Sequence, residues 1–199
     1  MKRIMESAII IVSGLPRSGT SLMMQMLANG GMEVVTDNIR TPDTDNPRGY
    51  FEFERVKKIK QDASWLPQAR GKAVKMVSQL LYDLPSSERY RIIFMERNME
   101  EMLDSQEKML QRLGRKPSPR EEIKPAFVLH LDRLNGWLGQ QRNIEVLRIS
   151  YNTLLQHPEE QAQLVRDFLG GSGDLERMVK TVDRGLYRNR KLASECPKA

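Results

Sequence analysis

Ile9-Ile10-Ile11-Val12-Ser13-Gly14-Leu15-Pro16-Arg17-Ser18-Gly19-Thr20-Ser21 decides how this 199-residue chain folds. The run of β-branched residues reads as a buried strand. It breaks into Gly, Pro and small hydroxyl residues, and a helical apolar pattern follows at Leu22, Met23, Met26 and Leu27. Strand, tight turn and helix is the layout that aims backbone N–H groups at an anion. The spacing Gly-x-x-x-x-Gly-Thr-Ser keeps the frame of a phosphate-binding P-loop with one alteration. The Lys that an NTPase puts after the second Gly is Thr20, and a cation stands earlier, at Arg17. That Lys reaches the β- and γ-phosphates, so a loop without it suits a nucleotide lacking a γ-phosphate.

Working outward, strands are expected at 8–13, 72–76, 90–96 and 144–149, with a weaker one at 32–35. Helices are expected at 19–30, 53–62, 98–113, 120–140, 158–169 and 174–181. Strands alternating with helices predict an α/β fold: one domain over 1–199, a mostly parallel central sheet flanked by helices, laid out as in P-loop NTPases. Ligands on such sheets sit at the C-terminal ends of strands. The loop after Gly14 falls there, and so does Arg97, which closes the strand Arg91-Ile92-Ile93-Phe94-Met95-Glu96. Asn98 reads as a helix N-cap, and Ser105 lies two helical turns beyond it on the same face. Arg97 can fork two N–H groups onto a phosphate while Ser105 donates a hydroxyl. Residues 36–52 and 114–120, punctuated by Pro and Gly, read as loops or lids beside the site, or as solvated connectors.

The net charge of +6 and pI near 9.5 fit a polyanionic ligand. Aromatics are only 6%, and no zinc-finger, recognition-helix or RNA-binding aromatic pattern is present, so nucleic acid is not an expected partner. Cys196 is the only cysteine, which excludes an intrachain disulfide and suits a reducing compartment. The first apolar run leads directly into the loop, as a core strand does and a signal peptide does not. No run approaches a transmembrane span. A cytoplasmic location follows as the expectation. No His, Cys or carboxylate grouping has metal-ligand spacing, so no metal is expected. The methionines fall on helix faces, as Met102 and Met109 do, and fit core filling.

Leu15-Pro16-Arg17-Ser18-Gly19-Thr20-Ser21 resembles the 5′-phosphosulfate loop of sulfotransferases that use 3′-phosphoadenosine-5′-phosphosulfate (PAPS). In that family a Lys or Arg holds the place of Arg17. Arg97 with Ser105 resembles the family's 3′-phosphate site. Tyr151 in Tyr151-Asn152-Thr153-Leu154 resembles its Tyr-x-x-Leu segment, where the Tyr approaches the adenine. The Arg-rich end, Leu186-Tyr187-Arg188-Asn189-Arg190, resembles a Leu-Tyr-Arg-Asn version in bacterial relatives, and Arg188 or Arg190 would cover the nucleotide.

The resemblance implies sulfonate transfer from PAPS to a hydroxyl or amine of a small-molecule or glycan acceptor, leaving adenosine 3′,5′-bisphosphate. By analogy with phosphoryl transfer, donor and acceptor must be held in line and charge on the leaving group must be stabilised. Arg17 is the residue expected to meet the leaving group. Pro16 shapes the loop, the N–H groups of Ser18, Gly19 and Thr20 would hold the 5′-phosphate, and the Thr20 and Ser21 hydroxyls would assist.

A base must also take the acceptor's proton. Relatives acting on phenols use a His between the two phosphate motifs. This chain has none there: His130 lies in a helical pattern and His157 precedes Pro158. Other branches use a Glu, and Asn46-Pro47-Arg48-Gly49-Tyr50-Phe51-Glu52-Phe53-Glu54 resembles their Asn-Pro-x-Gly-Tyr-x-Glu segment. A carboxylate after an aromatic pair would sit in a partly dry pocket, where carrying a proton costs less. Glu52 is preferred to Glu54 as the base, against the alternative that both belong to an exposed first helical turn. Lys75 closes the strand Ala73-Val74-Lys75 where family members often carry a Lys near the acceptor.

Two other readings remain open at this level. A P-loop small-molecule kinase would need the Lys that Thr20 replaces. A non-catalytic nucleotide-binding protein with a sulfotransferase fold would explain the absent His. The acceptor is not encoded in any portable pattern, and a homodimer is compatible with the sequence.

Overall fold

The computed structural model describes residues 7–37, 39 and 49–183. Arg188 and Arg190 lie outside them, as does most of the 36–52 loop. β1 (Ala8–Gly14) leads through the loop into α1 (Thr20–Asn29), followed by β2 (Val34–Val35). Short 3-10 turns at Glu54–Lys58 and Leu66–Ala69 precede β3 (Ala73–Lys75), and a third at Ser78–Asp83 precedes β4 (Arg89–Glu96). Then come α2 (Met99–Arg112), α3 (Arg120–Leu138), β5 (Ile144–Ser150), α4 (Tyr151–Gln156), α5 (Pro158–Phe168) and α6 (Leu175–Lys180).

The five strands form one sheet in the order β2-β3-β1-β4-β5, and every pairing is parallel. β1 is central and wholly buried, which is why it reads as an unbroken apolar run with no alternation. Ile10 and Val12 face one core with Met23, Met26, Leu27, Leu154 and Val165; Ile9 and Ile11 face the other with Trp65, Leu66, Leu81 and Leu134. A third, smaller cluster of Leu15, Met102 and Leu103 ties the loop to α2.

The chain runs from β1 to β2 and β3 on one side, then crosses to β4 and β5 on the other. That reversal opens a crevice beside the C-terminal ends of β1 and β4, where ligands of open α/β sheets bind. In register, Gly14 stands opposite Met95 and Val12 opposite Lys75, so the loop, Arg97 and Lys75 all emerge at one end of the sheet.

One element departs from expectation. The helix foreseen at 53–62 is a 3-10 turn over Glu54–Lys58. Its apolar positions, Phe53, Val56 and Ile59, recur every three residues, the period of a 3-10 helix. The backbone bonds follow suit: Val56 N–H donates to Phe53 O (3.0 Å) and Ile59 N–H to Val56 O (3.2 Å).

Candidate functional site

The loop after β1 is shaped by two glycines. Gly14 has φ +150°, and a Cβ there would stand 2.4 Å from Ser18 Oγ and 2.6 Å from the Met95 carbonyl oxygen. Gly19, the residue before α1, has φ +101°, and a Cβ there would stand 2.3 Å from Tyr151 Cδ2. Only glycine lets the turn close against β4 and α4 at once. The first helical bond runs from Met23 N–H to Gly19 O (3.2 Å), so the N–H groups of Thr20, Ser21 and Leu22 precede the helical ladder, at its positive end. Ser18 differs: its N–H donates to Leu15 O (3.2 Å) within the turn. Its hydroxyl is buried without a hydrogen-bond partner among the described residues. A hydroxyl so placed at a helix N-terminus suits an anion.

Gly19→Ala is therefore expected to destabilise the fold by about 2–3 kcal/mol, from the left-handed φ and the displaced Tyr151 ring. The melting temperature should fall by about 5–10 °C. An unchanged melt would mean that Tyr151 is free to move off the loop.

On one flank of the loop lie the other phosphate-motif residues. Arg17 takes a left-handed φ of 71°. Its carbonyl accepts from Arg97 Nη1 (3.1 Å), and its own Nε donates to Ser105 Oγ (3.1 Å). Residues 80 and 88 positions apart in sequence thus meet in a single constellation. Arg97 lies over the Tyr151 ring, 4.5 Å from its centroid, and pairs with Glu101 at 3.5 Å. Glu101, almost wholly buried, also accepts from Asn152 Nδ2 (3.0 Å). Burial pushes the Tyr151 hydroxyl's pKa up, and the Arg97 and Arg17 charges pull it back. α2 is aimed at this corner by Asn98, whose side chain accepts from Glu100 N–H and Glu101 N–H, the N-cap expected of it.

On the other flank, Lys75 Nζ donates to the Tyr50 carbonyl (2.5 Å) and to Ser21 Oγ (3.3 Å). Glu52 lies 3.7 Å from the same ammonium, its side chain a quarter exposed. The Glu52 backbone is pinned: its carbonyl accepts from Thr36 Oγ1 (3.0 Å) and Asp37 N–H (3.2 Å). Asp37 also accepts from Glu54 N–H (2.6 Å), which holds its carboxyl below the usual carboxylate range. Glu54 turns its own side chain to Lys57 (2.5 Å), in solvent.

The two histidines stay apart from these clusters in their contacts. His130 Nε2 lies 2.9 Å from Ser78 Oγ and edge-on to Tyr82, and burial pushes its pKa down. His157 sits at the junction of α4 and α5. Among the described residues, no group of three or more His, Cys, Asp or Glu could hold a metal ion. No helix there is long and apolar enough to cross a membrane.

Sequence reasoning missed Glu101 and Asn152. Neither carried a local signal: Arg97 precedes the Asn98 N-cap, so its four-residue spacing to Glu101 is not a pair on one helix face.

A family model described as "Sulfotransferase domain" matches residues 8–194. Among solved structures, the sulfotransferase domain from the curacin biosynthetic pathway is similar at a TM-score of 0.52 and 13% identity, over 88% of this chain and 78% of that one. The sulfotransferase domain from the Synechococcus PCC 7002 olefin synthase is similar at a TM-score of 0.52 and 16% identity, over 94% and 89%. No curated protein matches the sequence. The solved structures speak for the fold, and the match across nearly all of the chain for descent: this protein belongs to the sulfotransferase-domain family.

Proposed function

We propose that the protein transfers a sulfonate group from PAPS to a hydroxyl or amine of a small-molecule or glycan acceptor, without a metal. The observation that carries the proposal is the contact between the two anion-site motifs. Arg17 in the loop touches both Arg97 and Ser105, so one donor molecule with a phosphate at each end of its ribose can engage both. The loop and the start of α1 hold the 5′-phosphosulfate through the N–H groups of Gly19 and Thr20 and the hydroxyls of Ser18, Thr20 and Ser21. Arg97 and Ser105 hold the 3′-phosphate, with Tyr151 beneath Arg97 toward the adenine. Arg188 or Arg190, both outside the described residues, would be the further cation over the nucleotide, as the resemblance of the Arg-rich end implies.

The flank with Lys75 and Glu52 is the transfer side. The acceptor oxygen or nitrogen attacks sulfur, the bond from sulfur to the bridging oxygen breaks, and Glu52 takes the acceptor's proton. The electron pair of the broken bond stays on the 5′-phosphate of adenosine 3′,5′-bisphosphate. Lys75 and Arg17 supply positive charge to that departing group, and their fixed hydrogen bonds mean little reorganisation is needed as the charge develops.

Transfer of label from PAPS carrying radioactive sulfur, screened over sugars, phenols, lipids and amines, tests the reading. A labelled product without added magnesium is expected. Tight binding of adenosine 3′,5′-bisphosphate with no transfer to any acceptor would make the protein a nucleotide binder on this fold. Magnesium-dependent turnover of ATP would make it a kinase.

A further inference from the structure

Phe51 stands at φ 52°, in the left-handed region that a bulky residue with a Cβ enters only under constraint. It directly precedes Glu52, and backbone strain of this kind collects at functional sites. From this geometry we infer that Phe51 is a positioning residue, whose left-handed turn directs the Glu52 carboxylate to the Lys75 ammonium. The inference rests on the role proposed above for Glu52 and deepens it.

Three observations converge. The groups on either side of the turn meet at one atom. The Tyr50 carbonyl accepts from Lys75 Nζ (2.5 Å), and the Glu52 carboxylate lies 3.7 Å from that same nitrogen. Next, residues two apart in an extended chain share a face. Yet Phe51 packs against the core of Ile10 and Val12, while Phe53, itself extended at φ −135°, packs against that of Ile9 and Ile11. Those cores lie on opposite faces of the sheet. The chain therefore rotates between the two rings, and the left-handed backbone of Phe51 supplies the rotation. Glu52, between the rings, is turned to neither core and meets Lys75 instead. Finally, the turn is clamped on both sides. Before it stands the bond from Lys75 to the Tyr50 carbonyl; after it, the Glu52 carbonyl accepts from Thr36 Oγ1 (3.0 Å) and Asp37 N–H (3.2 Å). A strained residue persists only where its surroundings over-determine it in this way.

The competing role for Phe51 is to fill the core with its partly buried ring, and two substitutions separate the two. Phe51→Gly deletes the ring but takes the left-handed conformation freely. Phe51→Val keeps apolar bulk but is β-branched and resists that conformation. Packing ranks Phe51→Val above Phe51→Gly; the turn ranks them the other way. On the best acceptor of the transfer screen, Phe51→Val should lower kcat by about 10- to 100-fold, the effect of a displaced catalytic group, with the KM for donor unchanged. Phe51→Gly should keep about tenfold more of kcat than Phe51→Val does. Thermal melts report folding of each variant. Phe51→Ala differs from Phe51→Gly by one Cβ, and it gives the same comparison if Phe51→Val melts below the assay temperature. The substitutions are then repeated on Glu52→Gln. A residue that acts through the carboxylate has nothing left to position there, so Phe51→Val should add no further loss.

Turnover in Phe51→Val that equals or exceeds that in Phe51→Gly would overturn the inference, since packing of the ring would be what counts. A further loss of the same size on Glu52→Gln would overturn it too, because Phe51 would then act elsewhere. Both results leave Glu52 as the base. Full turnover in Glu52→Gln alone would instead overturn the base assignment, and the inference with it.

Discussion

Arg97→Ala is expected to weaken binding of adenosine 3′,5′-bisphosphate by about 1.5–3 kcal/mol, the value of a charge-assisted hydrogen bond. Binding of adenosine 5′-phosphate should change much less. The same substitution has a second effect. Arg97 is the cation beside Glu101, whose side chain is only 3% exposed. Removing it takes a counter-charge from a buried carboxylate that also accepts from Asn152 Nδ2 (3.0 Å), which costs about 3 kcal/mol. That is a large share of a typical folding free energy of about 5–15 kcal/mol. The two effects separate in the double variant Arg97→Ala with Glu101→Gln. There the amide no longer needs a counter-charge, so the melting temperature should recover most of its loss while the bisphosphate affinity stays low. Recovery of both would mean that Arg97 acts only as a structural partner of Glu101. Recovery of neither would mean that the loss comes from the Tyr151 stack, which Arg97 caps at 4.5 Å.

What could be read from sequence, and what could not, divides by the range of the interaction. The strand Ile9 to Val12 declared itself through four successive β-branched residues, and the turn after it through two glycines at a spacing that backbone geometry demands. Arg97 and Ser105 were legible because strand end, N-cap and helix face are local arithmetic. The segment at 53–62 was misread because Phe53, Val56 and Ile59 fit the apolar face of an α-helix nearly as well as the threefold period they obey. α4, only six residues long, was too short to show a period at all. The partnerships were harder still. Nothing local tells Glu101 from Glu100, yet the first turns into the core and the second out to Lys124 (2.6 Å) and Arg120. That Arg17 reaches Ser105 depends on how α2 docks against the loop through Leu15, Met102 and Leu103, which is a property of the assembled sheet. Sequence located the groups; the fold assigned them to one another.

Glu52→Gln should lower turnover on the best acceptor of the transfer screen by about 10²–10⁴-fold, the usual worth of a general base. Nucleotide affinity should stay within about threefold. The reasoning starts from what the amide preserves. Lys75 is held by the Tyr50 carbonyl and by Ser21 Oγ as well as facing Glu52, so its position beside the loop does not depend on that carboxylate. The segment's backbone is pinned through the Glu52 carbonyl to Thr36 and Asp37, and a change of side chain leaves that untouched. What Gln cannot do is accept a proton. Glu54→Gln is the matched control, two residues away: its carboxylate meets Lys57 in solvent, and turnover should stay within about twofold of wild type. A fall of similar size in both variants would point to the charge of the segment rather than to one base. Full turnover in Glu52→Gln would remove it from the chemistry and leave Lys75 as the ionisable side chain at the transfer side. A fall confined to Glu52→Gln, with kcat reduced and the KM for donor unchanged, fits one role only: a carboxylate that acts when the acceptor gives up its proton.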